Sequence, residues 1–311
     1  ANTDASSGAP CAIEADDPNA NYKAGVMPSP VVIGQTFSKQ LAREYGELMG
    51  NYSLWSNLTI YWGCGNNIHR SPYNARNHEY YSEDAMLTAY QGAAFVEGGL
   101  EYGLIIAPKH FAFNDTEINR TGISVFMTEQ QARENELRGT QSIIEDAGAL
   151  GIMTAYNRVG VTTSNAHTGL LQNILRGEWG FKGLATEDFI QDALYTSLKE
   201  AVMNGITMSC NTGDSTLEAV AEKFNYWTVE NVSQDAQLMA ALKQAMTWQN
   251  YAIANSNALD GMSMYFPVNG AYDPEESLAI VGDWSQLVYA IRQDMTFKIF
   301  DSGVVQDPTT G

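Results

Sequence analysis

Apolar residues along this chain gather in short continuous runs rather than alternating with polar ones. LTIYWG (58–63), LIIAPKHF (104–111), LGIMTAYN (150–157), GLATED (183–188) and ITMSC (206–210) are the clearest. Runs of this kind predict parallel strands covered on both faces. Helical stretches separate them, over 38–50, 82–103, 168–180, 190–205 and from about 233 to 255. A further helix is predicted to start at Thr128, where Gln131 three residues on completes a capping-box pattern. Glu83 and Asp84 open the 82–103 helix, where acids stabilise the positive end of the helix dipole. SPVVIG (29–34) reads as a sixth strand.

Strands alternating with helices point to an α/β fold, and two architectures compete. A (β/α)8-type, TIM-like barrel fits better than a doubly wound sheet. In nearly every unit the polar, loop-forming residues follow the strand, and barrels build their sites on that rim from many strands. Eight strands close an ordinary barrel, so some are cryptic or the barrel is incomplete in this chain. The reading divides the chain into an N-terminal loop or extended segment (1–30), the barrel (31–261) and an unassigned C-terminal extension (262–311).

Composition narrows the partners. A chain of 311 residues, 44% of them hydrophobic, can bury a sizeable core. Its net charge of -19 argues against nucleic acid and anionic lipid as partners. No run is long and apolar enough to insert into a membrane, and the first residues lack the basic and apolar regions of an uncleaved signal. The acidity suits an extracellular or cell-surface protein. Cys11, Cys64 and Cys210 show no metal-type spacing, and either one disulfide plus a thiol or three thiols fits.

The strand ends hold the candidate chemistry. Lys109 and His110 close one strand, Tyr156 and Asn157 another, and Glu187 and Asp188 a third. Asn67, His69 and Arg70 follow LTIYWG, so charged and polar side chains from four strands share one mouth. Phosphate-binding, dinucleotide, zinc-helix and serine-elbow motifs are absent from the sequence, which leaves no call for a cofactor or metal. Carboxylates, a Lys–His pair, an arginine and aromatics suit a sugar. Hydroxyls are discriminated by buried polar partners, and a carboxylate can attack an anomeric carbon. Nearby cations such as Lys109 and Arg76 would keep that carboxylate ionised. Flat faces for sugar rings can be drawn from 16 Tyr and 6 Trp.

NNIHRSPYNARNHEYYSED (66–84), KHFAFNDTEINR (109–120), IMTAYNRVG (152–160) and LLQNILRGEWGFKGLATEDF (170–189) resemble glycoside hydrolase family 3, the β-glucosidase-like enzymes. The likeness runs in order from about Pro28 to Gly261. It implies that Asp188 is the nucleophile, and that Arg76, Lys109 and His110 grip the innermost sugar with Tyr156 beside the nucleophile. TDASSGAP resembles the family's Thr-Asp-Gly-Pro segment, which assigns Asp4 to sugar hydroxyls. Glu187 departs from the Ser or Thr expected there and sets a second acid beside Asp188, where like charges oppose each other's ionisation. The family's acid/base comes from a second α/β domain, so a further domain or chain is an expected partner beside the carbohydrate.

Each residue also has a plainer role. Asp188 could cap the following helix, His110 could be a satisfied core histidine, and Arg76 could anchor its loop through Glu79 or Asp84. Asp115, Glu117 and Arg120 are read as ion pairs bracing their loop. Together the motifs favour a retaining exo-glycosidase acting on terminal β-D-glucosyl residues through a glycosyl-aspartate. The alternative is a catalytically silent barrel that binds glycans or builds an extracellular assembly.

Overall fold

The computed structural model describes residues 2–4, 27–55, 58–188, 197–209 and 228–259. Strand β1 (Asn2–Asp4) lies parallel to β2 (Ile60–Gly65), and β2 parallel to β3 (Ile105–Lys109). A bridge from Phe111 to Thr154 links β3 to β5 (Gly151–Met153), which pairs in parallel with β8 (Leu184–Thr186). Thr186 bridges onward to Met208. The strands therefore follow one another in chain order, all parallel, with helices between them. This is the arrangement of a (β/α)8-type, TIM-like barrel, as the run pattern predicts.

Side-chain alternation sorts the core into two parts. Ile105 and Ala107 of β3 join Trp62, Leu150, Met153 and Leu184 in one cluster. Ile106 points the other way, into the larger cluster with residues of α2 (Lys39–Trp55) and α3 (Ala85–Leu100). With a period of two, Lys109 shares the face of Ile105 and Ala107, so the strand lifts an ammonium from the inner face to the rim. Asp84 caps α3 by accepting from the Leu87 amide at 2.6 Å, and Thr128 accepts from the Gln131 amide at 3.2 Å, the cap its sequence promised. At the opposite end Asn257 donates to the carbonyl of Leu58 at 3.0 Å, while its amide reaches the carbonyl of Gly103 at 2.8 Å. The helix Ala236–Ala254, which precedes Asn257, thereby tucks under the starts of β2 and β3.

One sequence expectation changes. SPVVIG is not a strand: Pro30–Gln35 forms the helix α1. Its β-branched residues suggested an extended chain, but Pro30 sits in the first turn, where its fixed φ and missing N–H suit a helix. Pro30, Ile33 and Gly34 are the buried positions, a helical spacing. The N-terminal segment read as loop or extended chain contains the extended β1, whose backbone is paired with β2. Of ITMSC, residues 206–209 are described and meet β8 through the Thr186–Met208 bridge and through bonds from the Thr207 and Met208 amides to the Ala185 carbonyl. Cys210 and Cys11 lie outside the described residues, while Cys64 is a buried free thiol.

Loops on the rim are tied together. β4 (Ser124–Val125) pairs with β6 (Arg158–Val159), and β6 with β7 (Thr162–Thr163), joining the loop after β3 to the loop after β5. Below β8, Arg176 donates to the carbonyls of Gly183 at 2.8 Å and Gly205 at 2.7 Å, and stacks on Trp248 at 3.8 Å. Burial pushes its pKa down to about 9, yet the carbonyls hold it as a clamp on the turn that enters β8.

Close packing of α2 on α3 depends on glycine. A Cβ at Gly46 would fall inside the radius of the Phe95 carbonyl oxygen, and one at Gly98 inside that of the Arg43 carbonyl. Backbone cannot rotate aside as a side chain can. Gly46→Ala is therefore expected to lower unfolding free energy by about 1–3 kcal/mol, measured by urea denaturation. Unchanged stability would refute the contact.

Candidate active site

The β3 end presents Lys109 and His110 to the rim. Both are buried, at 1% and 2% exposure. Asn67, in the loop after β2, grips the His110 backbone on two sides, accepting from its N–H at 2.8 Å and donating to its carbonyl at 3.0 Å. The Asn66 amide donates to the Lys109 carbonyl at 2.8 Å. The strand end is thus held by the neighbouring loop through its backbone, leaving the side chains to the site.

Arg76 reaches the same point from the loop before α3. Its guanidinium makes a forked bond to Glu79, at 3.0 Å from Nε and 2.7 Å from Nη2, and its Nη1 lies 3.2 Å from His110 Nε2. Burial opposes charge on both partners, and the fork overcomes it. The Glu79 carboxyl is held below its ordinary range and the Arg76 proton is held more firmly. The sequence left Arg76 open between loop anchor and sugar ligand; the geometry has it anchor to Glu79 with one arm while facing the site with another.

Asp188 follows β8 and keeps 10% of its side-chain surface exposed. His110 Nε2 stands 3.4 Å from its Oδ2, and Arg120 Nη1 stands 3.9 Å from the same oxygen. Burial first, then the charges of Arg76, Lys109 and Arg120, press the His110 pKa well below the ordinary histidine value. The ring is neutral. A proton on Nε2 serves Asp188 Oδ2 and lets Nδ1 accept from Asn114 Nδ2 at 3.3 Å, at the cost of the Arg76 Nη1 donor 3.2 Å from the same nitrogen, which keeps its bonds to Glu79 instead. The carboxylate therefore faces a hydrogen-bond donor and a cation, both of which favour its ionised form.

Arg120 is the residue the sequence undervalued. It was read as a brace, and it does bond Glu117 at 2.9 Å. It also lies over the Tyr156 ring at 4.3 Å and so joins Tyr156 to Asp188. The NDTEINR segment holds its charges in a row, and nothing in a row of charges tells which one turns inward. Asn67 and Asn114 were likewise missed as supports for His110. Asp4 ends β1 opposite Trp62, at the rim end of a parallel strand. Glu187 is buried at 2% exposure next to Asp188. Asp188, His110, Arg76 and Tyr156 thus meet around one mouth, and Lys109 lies near enough for its charge to act on both His110 and Glu79. Among the described residues no cluster of ligating side chains suits a metal ion.

The chain is similar to known proteins in sequence and in fold. Residues 5–245 match the model of the glycosyl hydrolase family 3 N terminal domain. Beta-glucosidase A of Butyrivibrio fibrisolvens is 33% identical over 207 residues, covering 66% of this chain and 25% of that protein. The beta-glucosidase of Ruminococcus albus is 35% identical over 167 residues, 54% of this chain and 18% of that one. Among solved structures, beta-glucosidase 3B from Thermotoga neapolitana in complex with glucose superposes with a TM-score of 0.73. It is 22% identical and matches 93% of this chain and 39% of that one, so it speaks for the fold. The chain spans well under half of these relatives. With the family model matched over most of its length, the chain belongs to glycosyl hydrolase family 3.

Proposed function

We propose that this chain is the nucleophile-bearing barrel of a retaining exo-β-glucosidase. The observation that carries the reading is the Asp188 carboxylate, partly open to solvent and faced by neutral His110 and by Arg120. In the first step Asp188 Oδ attacks the anomeric carbon of a terminal glucosyl residue, and the bond to the leaving oxygen breaks. Arg120 and the His110 N–H steady the carboxylate before attack. Arg76 and Lys109 present donors to the sugar hydroxyls beside His110, whose one N–H turns to Asp188, and a buried donor left without a hydroxyl costs enough to reject the wrong sugar.

Leaving-group protonation needs a second carboxyl group, about 5–5.5 Å from the first in a retaining enzyme. Two carboxylates of the rim are already engaged, Glu79 by Arg76 and Glu117 by Arg120, and Glu187 is buried. The acid/base is therefore assigned to a further domain or a partner chain, in keeping with the relatives' greater length. A silent glycan-binding barrel is the rival reading, favoured by the buried Glu187 beside the nucleophile.

A 2-deoxy-2-fluoro-β-glucosyl fluoride separates the two, because its leaving group needs no acid. Intact mass should rise by one fluoroglucosyl unit, carried on the peptide containing Asp188, and Asp188→Asn should abolish the adduct. Sugar binding without an adduct in the unsubstituted chain would support the rival and sink the nucleophile. Arg76→Lys, which cannot fork onto Glu79 while also facing His110, is expected to weaken glucose binding roughly tenfold or more, the scale of one charged hydrogen bond. Calorimetric titration with glucose checks it, and unchanged affinity would remove Arg76 from the sugar's partners.

A further inference from the structure

Behind the rim lies an acid pair that the proposed chemistry does not use. Asp115 has no solvent-exposed side-chain surface, and Glu136 is 3% exposed. Glu136 comes from the π-helical turn Ala132–Glu136, wedged between helices α4 (Glu129–Gln131) and α5 (Arg138–Glu145), where the Leu137 amide skips back to Ala132 at 2.8 Å. Such turns re-aim side chains and often occur at functional sites. Glu136 is directed at Asp115, close enough for the two carboxyl groups to share a hydrogen bond once one of them carries a proton. Arg70, from the loop after β2, reaches in to Asp115 Oδ2 at 3.1 Å. Tyr80, from the loop before α3, donates to the neighbouring Asn114 carbonyl at 3.4 Å, within reach of the Asp115 charge.

Two carboxylates cannot bond one another, and with both ionised the Glu136 oxygens and Asp115 Oδ1 have no donor. A proton between them removes the conflict. One negative charge then faces the Arg70 cation, and Glu136 donates to Asp115. Burial first, then the charge of Asp115, push the Glu136 pKa up to about 9, while Arg70 and that hydrogen bond oppose the rise at Asp115.

The position of the pair gives it a task. Asp115 stands between Asn114, which donates to His110 Nδ1 at 3.3 Å, and the Glu117–Arg120 ion pair at 2.9 Å, which faces Asp188. We propose that Asp115 and Glu136 form a proton-sharing positioning pair. In it, protonated Glu136 pins Asp115 and thereby holds the Asn114–Arg120 loop where it presents His110 and Arg120 to Asp188. This rests on the reading of Asp188 as nucleophile. The titrating groups around the pair are Arg70, Tyr80, Asp115 and Glu136 itself, each from a different segment. Loss of the shared proton leaves two buried anions against one arginine, and the loop should loosen.

The test follows the concentration dependence of fluoroglucosyl trapping from pH 6 to 10. The half-saturating concentration of the unsubstituted chain should rise about tenfold as pH passes through about 9, where Glu136 ionises. Glu136→Gln, a neutral donor of the same shape, should stay within about twofold of the unsubstituted chain at pH 7 and lose the alkaline rise. Asp115→Asn should raise half-saturation at least tenfold at every pH. Equal alkaline losses in Glu136→Gln and the unsubstituted chain, or wild-type affinity in Asp115→Asn, would overturn the pair. Stability gives a readout free of turnover. The unfolded chain releases the Glu136 proton near 4.5 while the folded chain holds it to about 9. Stability of the unsubstituted chain must therefore fall relative to Glu136→Gln as pH climbs between those values. A flat difference refutes the shared proton. If the unsubstituted chain is never trapped, the nucleophile reading fails, and this slope, with the carboxylic-acid infrared band that Glu136→Gln should delete, still decides whether the pair shares a proton.

Discussion

Parallel pairing is the constraint from which the rest follows. Because β1, β2, β3, β5 and β8 run the same way, their C-terminal ends all arrive on one rim. The inner face of β3 that carries Ile105 and Ala107 must then carry Lys109 as its last residue, with His110 next. Both are taken out of water, and a buried charge is tolerated only with partners. The rim therefore cannot be filled one residue at a time. Arg76 needs Glu79, Arg120 needs Glu117, and His110 stays neutral because it is buried and three cations surround it.

This mutual dependence shapes the chemistry. A nucleophilic carboxylate must stay ionised while the site excludes water, and here the groups that favour ionisation are fixed before any ligand arrives. Asn67 fixes His110 through its backbone and Asn114 fixes its ring, so Asp188 meets a preset donor. Preset dipoles need no reorganisation when charge shifts, which is the usual source of electrostatic catalysis. The same commitment of carboxylates to cations leaves none of Glu79 or Glu117 idle to serve as an acid, which accords with family relatives several times the length matched here.

Support comes from behind as much as from the rim. Arg176 clamps the turn that feeds β8, and the small sheet of β4, β6 and β7 locks the loop after β3 to the loop after β5. The π-helical turn at Ala132–Glu136 directs an acid inward where a regular helix would set it a fraction of a turn aside. These features sit on segments far apart in the chain, and each bears on the placement of Arg120, His110 or Asp188.

The strand runs, the helix caps at Asp84 and Thr128, and the gathering of polar residues after each strand were legible in the sequence because they obey local rules of period and hydrogen bonding. Local signals also misled at SPVVIG, where β-branched residues spoke for a strand and Pro30 decided for a helix. Strand-end position and the family resemblance nominated Asp188, Arg76, Lys109, His110 and Tyr156. They did not distinguish Arg120, which turns to Tyr156 and Asp188, from Asp115, which turns away to Arg70 and Glu136. Both stand in one polar loop within six residues of each other, and a loop has no period to announce which way a side chain faces. Only the tertiary structure, by bringing β8, the π turn and the loop after β2 against that segment, gave each charge its partner and hence its role.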